Sequence, residues 1–395
     1  MIKMFDLLVL TSLLPGAPVG ATAHSTNHDV LFFAVDDLRP SLGPYGVSEV
    51  KTPHLDELAN RSMVFERMYT AVSVCAPART AIMVGRRPDT THNWEINSNE
   101  YWREVLPEAS SLPQYFVQHG YNTMGGGKLF HPGAVSGNDD TNHSWNSPYY
   151  HGRQSASTPV ECHTHPDGYC RFTNTSDGDL VDGDVAIWAK TQLMQVHANR
   201  SSGADERPFF LGVGFHKPHM PEYCPSKYWD MYQPETLTLA ANPSGPANAP
   251  QIAVQTSHLW RNWFNLSTTN GPCMTDYEAW QKPPCVVEEP VARTMRWAYY
   301  ACISYTDANI GGVIAAITQL GFAERTVIVV WGDHGTRDVT RALLCTCVCV
   351  CVRACSGVSV SLSAAAAAAS PCLLFHFPSL AAAVLSTWHL VLLLW

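Results

Sequence analysis

Cys75 opens the run Cys75-Ala76-Pro77-Ala78-Arg79, which continues through apolar residues to Gly85. Either this thiol is half of a disulfide or it is the seat of a reaction. Taken alone, a cysteine in a chain with secretory features is most often a buried or disulfide-bonded thiol. The other reactive residue types arrive in small groups. Asp36 and Asp37 end "DVLFFAVDD", His216 and His219 follow the apolar run of "PFFLGVGFHKPH", and Asp333 and His334 close "TVIVVWGDHG". Lys128 stands in "GGGKLFH", three residues before His131. Each group has a plainer reading by itself. Paired aspartates cap turns readily, and isolated histidines are common in loops. Lys128 after three glycines suggests a phosphate loop, but G-x-x-x-x-G-K-[ST] fails because Leu129 occupies the Ser/Thr position.

The elements around these residues give them a common address. "DVLFFAVDD" reads as a parallel strand buried on both faces, and "TPHLDELANRS" as a helix with Thr52 as cap and Pro53 in its first turn. The pattern repeats: "SSLPQYFVQHG" is a helix closed by Gly120, "YNTMGGGKLF" a strand and loop, and "DGDVAIWAKTQLMQVHA" a helix. "PFFLGVGF" is a further strand, "MRWAYYACISYTDANIGGVIAAITQLG" a long helix, and "TVIVVWG" a last strand. Strands alternating with helices predict an α/β sheet, whose sites gather at the carboxyl ends of strands. Asp36, Asp37, His216, His219, Asp333 and His334 all fall at such ends.

With 395 residues, 46% hydrophobic and 15% charged, the chain reads as globular, and a net charge of −9 argues against general affinity for nucleic acid. Residues 1–23 have the pattern of a secretory signal peptide: Lys3, an apolar run over 5–14, and Ala21-Thr22-Ala23 as an A-x-A cleavage site. Sequons begin at Asn60, Asn142, Asn174, Asn199 and Asn265. Cys162 and Cys170, in one polar loop, are a candidate disulfide. From residue 337 the character changes to alternating Cys/Val, six alanines and an apolar end, with no Asp, Glu or Lys after Asp338. The cysteines there lack zinc-ligand spacing, and Pro378 and the lack of flanking positive charge weaken a membrane anchor. The expected organisation is a signal peptide over 1–23, a catalytic domain over 24–336, and an aberrant tail over 337–395.

"CAPAR" resembles the C-x-P-x-R signature of the sulfatases, in which the cysteine is oxidised in the endoplasmic reticulum to formylglycine. The surrounding "SVCAPARTAIMVG" fits that family except at Val84, where a small or polar residue is usual. "GYNTMGGGKLFH" is similar to the second family motif, departing at Gly126, which is expected to add flexibility there. "AVDDLRPSLGPYG", "GFHKPHMP" and "WGDHG" follow the family order, so the resemblance spans about residues 29–335. Within the family, "VDDLRPSLGPYG", "GRRPDTT", "GGKLFHPG" and "HKPHMP" are most like the branch that removes the 2-sulfate of iduronate in heparan and dermatan sulfate.

The resemblance implies an alkaline-phosphatase-like α/β fold with a mixed, largely parallel sheet flanked by helices. It implies that formylglycine derived from Cys75 hydrates to a diol, one oxygen of which attacks sulfur, while the second lets the covalent sulfate leave as the aldehyde re-forms. By the same resemblance, Arg79 stabilises the hydrate, Lys128 holds sulfate, and His131 is the base on the diol. His219 protonates the leaving oxygen or contacts sulfate. Asp36, Asp37, Asp333 and His334, with residue 75, are the implied ligands of one calcium ion. Implied partners are sulfated glycosaminoglycans and the formylglycine-generating enzyme, in the secretory pathway, lysosomal or secreted. Family members continue after D-H-G with a further sulfate-binding lysine and a small C-terminal subdomain, which the sequence lacks in recognisable form. A sulfatase of another substrate, or a catalytically dead sulfated-glycan binder, are the alternatives that follow.

Overall fold

The computed structural model describes residues 28–96, 100–153, 169–239, 289–336 and 350–353. The expectations for the signal peptide, Asn265, Cys162 and most of the tail lie outside them.

Strand β1 (Asp29–Val35) sits in the middle of the sheet because its side chains are apolar in both directions. Leu31, Phe33 and Val35 face one core; Phe32 and Ala34 face another. The same two-sided pattern marks β5 (Phe209–Phe215) and β7 (Thr326–Gly332), its parallel neighbours, and β3 (Asn122–Gly127) pairs parallel with β5. β8 (Val350–Arg353), antiparallel to both its neighbours, and β2 (Met63–Val64) complete this sheet, in the order β2-β8-β7-β1-β5-β3. A mixed, largely parallel sheet is therefore present. The segment beyond residue 337, expected to stand apart, contributes β8: Val352 lies opposite Val329 on one side and Met63 on the other. A valine-rich alternating stretch has the β propensity for that place.

Helices that flank the sheet include α1 (Pro53–Asn60), α2 (Cys75–Val84), α3 (Leu112–Gln118), α4 (Val181–Ser202) and α5 (Glu289–Gln319). Leu55 and Leu58 of α1, Val185 to Val196 of α4, and Ile303 to Ile317 of α5 close one core over Leu31, Phe33 and Val35. Met83 of α2, with Ile82, Leu112 and Phe116 beside it, closes the other. A two-stranded sheet, β4 (Tyr169–Phe172) with β6 (Glu222–Pro225), packs on α5 around Trp229 and Tyr305. Among the described residues no helix is long and apolar enough to cross a membrane.

Ser111 and Gln114 form the capping box that starts α3. At α1 the expected cap is displaced: Thr52 Oγ1 donates to Asp56 Oδ1, and Asp307 of α5 accepts from the amides of His54 and Leu55 at 3.2 and 2.7 Å. Gly126, expected to bring flexibility, is a buried strand residue with the Trp188 ring 2.6 Å from where a Cβ would stand. Its smallness makes room for the indole. Gly127 has φ of +75° and lies so close to the Gly214 carbonyl that a Cβ would overlap it.

Candidate functional site

Strand β1 delivers Asp36 and Asp37 at its carboxyl end, and β7, hydrogen-bonded alongside, delivers Asp333 and His334 in the two residues past its own end. The Asp333 amide donates to Val35 O at 3.2 Å, and the Asp36 amide to Phe215 O at 3.0 Å, so the ladder continues into the site. Asp37 holds φ of +58°, a left-handed conformation that aspartate tolerates better than most residues. Tyr299 of α5 pins it by donating to Asp37 O at 2.6 Å.

Cys75 is the first residue of α2, preceded by extended Val74, and Pro77 occupies the first turn, where a missing amide proton is harmless. The helix thus aims its positive amino end toward the acids. The thiol is 4% exposed and lies 3.1 Å from His334 Nε2. Burial, and then Asp36, push its ionisation far up, so as a plain thiol it is a poor nucleophile.

Arg79, one turn on, is wholly buried. Nε donates to Asp333 Oδ2 and Nη2 to Asp36 Oδ1, both at 3.0 Å, while Nη1 reaches the carbonyls of Lys128 and Leu129. Lys128, carried past β3, pairs with Asp36 Oδ2. Burial works to raise Asp36, but Lys128 and Arg79 outweigh it and hold the carboxyl well below the usual range. Asp37 is different: burial pushes it up to about 7, with Asp36 and Asp333 adding to the push and His334 opposing it. Asp333 is raised by burial and by Asp36, against Arg79.

One ligand atom each from Asp36, Asp37, Cys75 and His334 come within 4.8 Å of one another. His334 Nδ1 lies 2.8 Å from Gly335 O, which can only accept, so Nδ1 carries a proton; burial works against the imidazolium but Asp333, Asp37 and Asp36 outweigh it, and Nε2 would have to give up its proton to ligate a metal. Three buried carboxylates face two cationic side chains here, and Asp37 keeps its proton to about neutrality. A divalent cation would relieve that imbalance, and the donor set of carboxylates plus one imidazole accepts one. The residues present fit a metal. Asp333 is beside the cluster but outside the four: Oδ2 is held by Arg79, and Oδ1 accepts from the amides of Asp37 and His334 at 2.9 and 3.0 Å.

The two expected catalytic histidines stand on loops at the same end of the sheet. His131 is partly buried, its Nδ1 3.1 Å from Pro132 O, and burial followed by Lys128 lowers it to about 4. His219 Nε2 is 4.0 Å from Asp36 Oδ2 and from Asp37 Oδ2. Burial lowers it to about 3, with Asp36 opposing and Lys128 and Lys217 reinforcing. His216 turns elsewhere, its Nδ1 3.2 Å from Asp182 Oδ1.

Sequence reading overlooked what holds this loop. Asp182, in the first turn of α4, accepts from the amides of His216 and Lys217 at 2.8 and 2.7 Å. Lys217 Nζ donates to the carbonyls of His219 and Pro221 at 2.7 and 2.8 Å, and Thr306 Oγ1 to Lys217 O at 2.9 Å. The one signal for Asp182 was its position in the acidic start of an expected helix. Lys217 lies between two recognised histidines and carried no signal of its own.

The geometry has counterparts among known proteins. The sulfatase family profile matches residues 28–338. The chain is 35% identical over 343 residues to iduronate 2-sulfatase of Homo sapiens, covering 83% of this chain and 58% of that protein. It is 31% identical over 318 residues to a sulfatase of Formosa agariphila, covering 78% and 59%, and 29% identical over 332 residues to choline-sulfatase of Rhizobium meliloti, covering 78% and 57%. The chain therefore spans somewhat more than half the length of these curated relatives. Among solved structures, a 2-O GAG sulfatase superposes with a TM-score of 0.54 at 18% identity, covering 84% of this chain and 65% of that one. Phosphonate monoester hydrolase of Agrobacterium radiobacter superposes at 0.57 and 17%, covering 83% and 68%; likeness at these identities speaks to the fold. The sheet that brings β1 and β7 together is thus the alkaline-phosphatase-like sulfatase sheet, and with the family profile matched from residue 28 to 338 this chain belongs to the sulfatase family.

Proposed function

We propose that this protein hydrolyses sulfate esters, and that its substrate is the 2-sulfate of iduronate in heparan or dermatan sulfate. The reaction reading is carried by one observation: Cys75 lies at the start of α2 inside a buried set of acids that suppress its thiolate, with Arg79 and Lys128 as neighbouring cations. A site that disables the thiol yet surrounds it with catalytic groups suits conversion of that residue to formylglycine. The substrate reading is supported by 35% and 34% identity to the human and mouse iduronate 2-sulfatases.

Formylglycine at position 75 supplies a hydrated aldehyde as the nucleophile toward sulfur. Asp36, Asp37 and His334, with residue 75 and with Asp333 alongside, would hold a calcium ion, which adds positive charge where the sulfate oxygens gather. Lys128 offsets charge on the sulfate group, and Arg79 helps keep Asp36 ionised and holds both Asp36 and Asp333 in place. His131, lowered to about 4, is neutral at pH 7, and its bond to Pro132 O through Nδ1 leaves Nε2 able to accept a proton from the diol. His219 is likewise bound through Nδ1, 2.5 Å from Met220 O. Nε2 must gain a proton to serve the leaving oxygen or the sulfate, and an arriving anion favours that gain.

Maturation would require the formylglycine-generating enzyme, which places the chain in the secretory pathway, secreted or lysosomal. Exposed sequon asparagines at positions 60, 142 and 174 agree with that route. A glycan-binding role without turnover is the second reading, favoured by Arg79 and Lys128, the cations beside Cys75, being paired with Asp36 and Asp333.

The test is sulfate release by the full chain, produced in cells that make formylglycine, from iduronate-2-sulfate, glucosamine-6-sulfate and choline sulfate. Iduronate-2-sulfate should be turned over preferentially, and Cys75→Ser should lose release by about 100-fold or more. Full release by Cys75→Ser would overturn the mechanism. Preference for another ester would overturn the substrate, and tight glycan binding with no release would establish the second reading.

A further inference from the structure

Cys224 on β6 and Cys302 on α5 take no part in the site described above. Both are fully buried reduced thiols in the same core cluster, where β6 packs on α5, and Cys302 is a neighbour of the Cys224 thiol. Neither belongs to a potential metal-binding group among the described residues. Burial and the neighbouring Cys302 raise Cys224 well above an ordinary thiol, which removes a nucleophilic role. A third member of the cluster, Cys170 on β4, is already disulfide-bonded, and Arg171 beside it lies opposite Cys224 in the β4–β6 register. A chain that builds one disulfide into this layer folds where thiols are oxidised.

We propose that Cys224 and Cys302 are joined by a disulfide in the mature protein, a second covalent staple in this layer. The bond forms by exchange with the disulfide of a dithiol oxidoreductase. The thiolate of one cysteine attacks that disulfide to give a mixed disulfide, and the second cysteine, as thiolate, displaces the enzyme's sulfur. Two thiol protons are released, and two electrons leave the substrate cysteines to reduce the oxidoreductase disulfide to a dithiol. The exchange must precede final packing, because the closed core suppresses the thiolate it requires. Its consequence reaches the site: β6 begins directly after the loop carrying His219, and α5 carries Tyr299, which holds Asp37, and Thr306, which holds Lys217. The cross-link would fix that loop against the helix. The inference does not depend on sulfatase activity.

The test is a peptide map of the full wild-type chain, secreted from eukaryotic cells, alkylated in denaturant without reductant, digested and analysed by mass spectrometry. The peptides bearing Cys224 and Cys302 should appear joined, lighter by two hydrogens than their sum, and separate on reduction. Alkylation of both cysteines without prior reduction would overturn the proposal. So would a bond from either one to Cys170 or to any other cysteine.

Discussion

Glu222 shows what burial does to one residue that the site does not use. It is 2% exposed, Oε2 has no hydrogen-bond partner, and burial pushes its carboxyl from 4.5 up to about 8, against Lys217 and with Asp37 adding slightly. The folded chain therefore keeps a proton that the unfolded chain gives up above 4.5. The corresponding stability is fully present below 4.5 and is lost as pH rises through about 8. Glu222→Gln keeps the shape and removes the titration. Melting temperatures at pH 5 and pH 9 should fall further between the two for the wild type than for the variant; equal falls would show that Glu222 is ionised in the fold. Arg79 is the opposite case, a buried charge held by two carboxylates and two carbonyls, whose charge the site keeps at every accessible pH.

At the scale of elements, α1 depends on a partner far along the chain. Its first amides are satisfied by Asp307 of α5, because Thr52 spends its hydroxyl on Asp56. Removing a buried acceptor of this kind costs about 1–3 kcal/mol. Asp307→Ala should lower stability by that amount in urea unfolding and speed hydrogen exchange at His54 and Leu55, while exchange in α4 stays unchanged. An equal acceleration in both helices would mean that the bond acts on the whole fold and not on the start of α1. The loop with His219 follows the same logic. Asp182 of α4 and Thr306 of α5 anchor a segment that Lys217 ties internally, which satisfies amides and carbonyls that have no strand to pair with.

For the molecule as a whole, the carboxylates gathered by two distant strands are an electrostatic cost that a cation removes. Calcium should raise the melting temperature and a chelator lower it, by about 2.7 kcal/mol of stability when the ion is at 100 times its Kd. Asp37→Asn should blunt that response, and a melting curve indifferent to calcium would count against the metal site. The α/β alternation, the strand runs buried on both faces and the groups at their carboxyl ends were all legible in the sequence. Hydrophobic period and residue type are local properties, and they decide that "DVLFFAV" is a central strand. The motif around Cys75 was legible for the same reason, though not that a helix starts at the cysteine itself. Tertiary structure alone decided which acid does what: Asp333 is spent on Arg79 and on the amide of Asp37, 296 residues away, while Asp37 is left close to neutral. It also decided that Gly126 makes room for Trp188, that Val350–Arg353 joins the sheet, and that Lys217 supports the His219 loop. Those outcomes depend on burial and on neighbours brought together by the sheet, and no stretch of sequence contains its own neighbours.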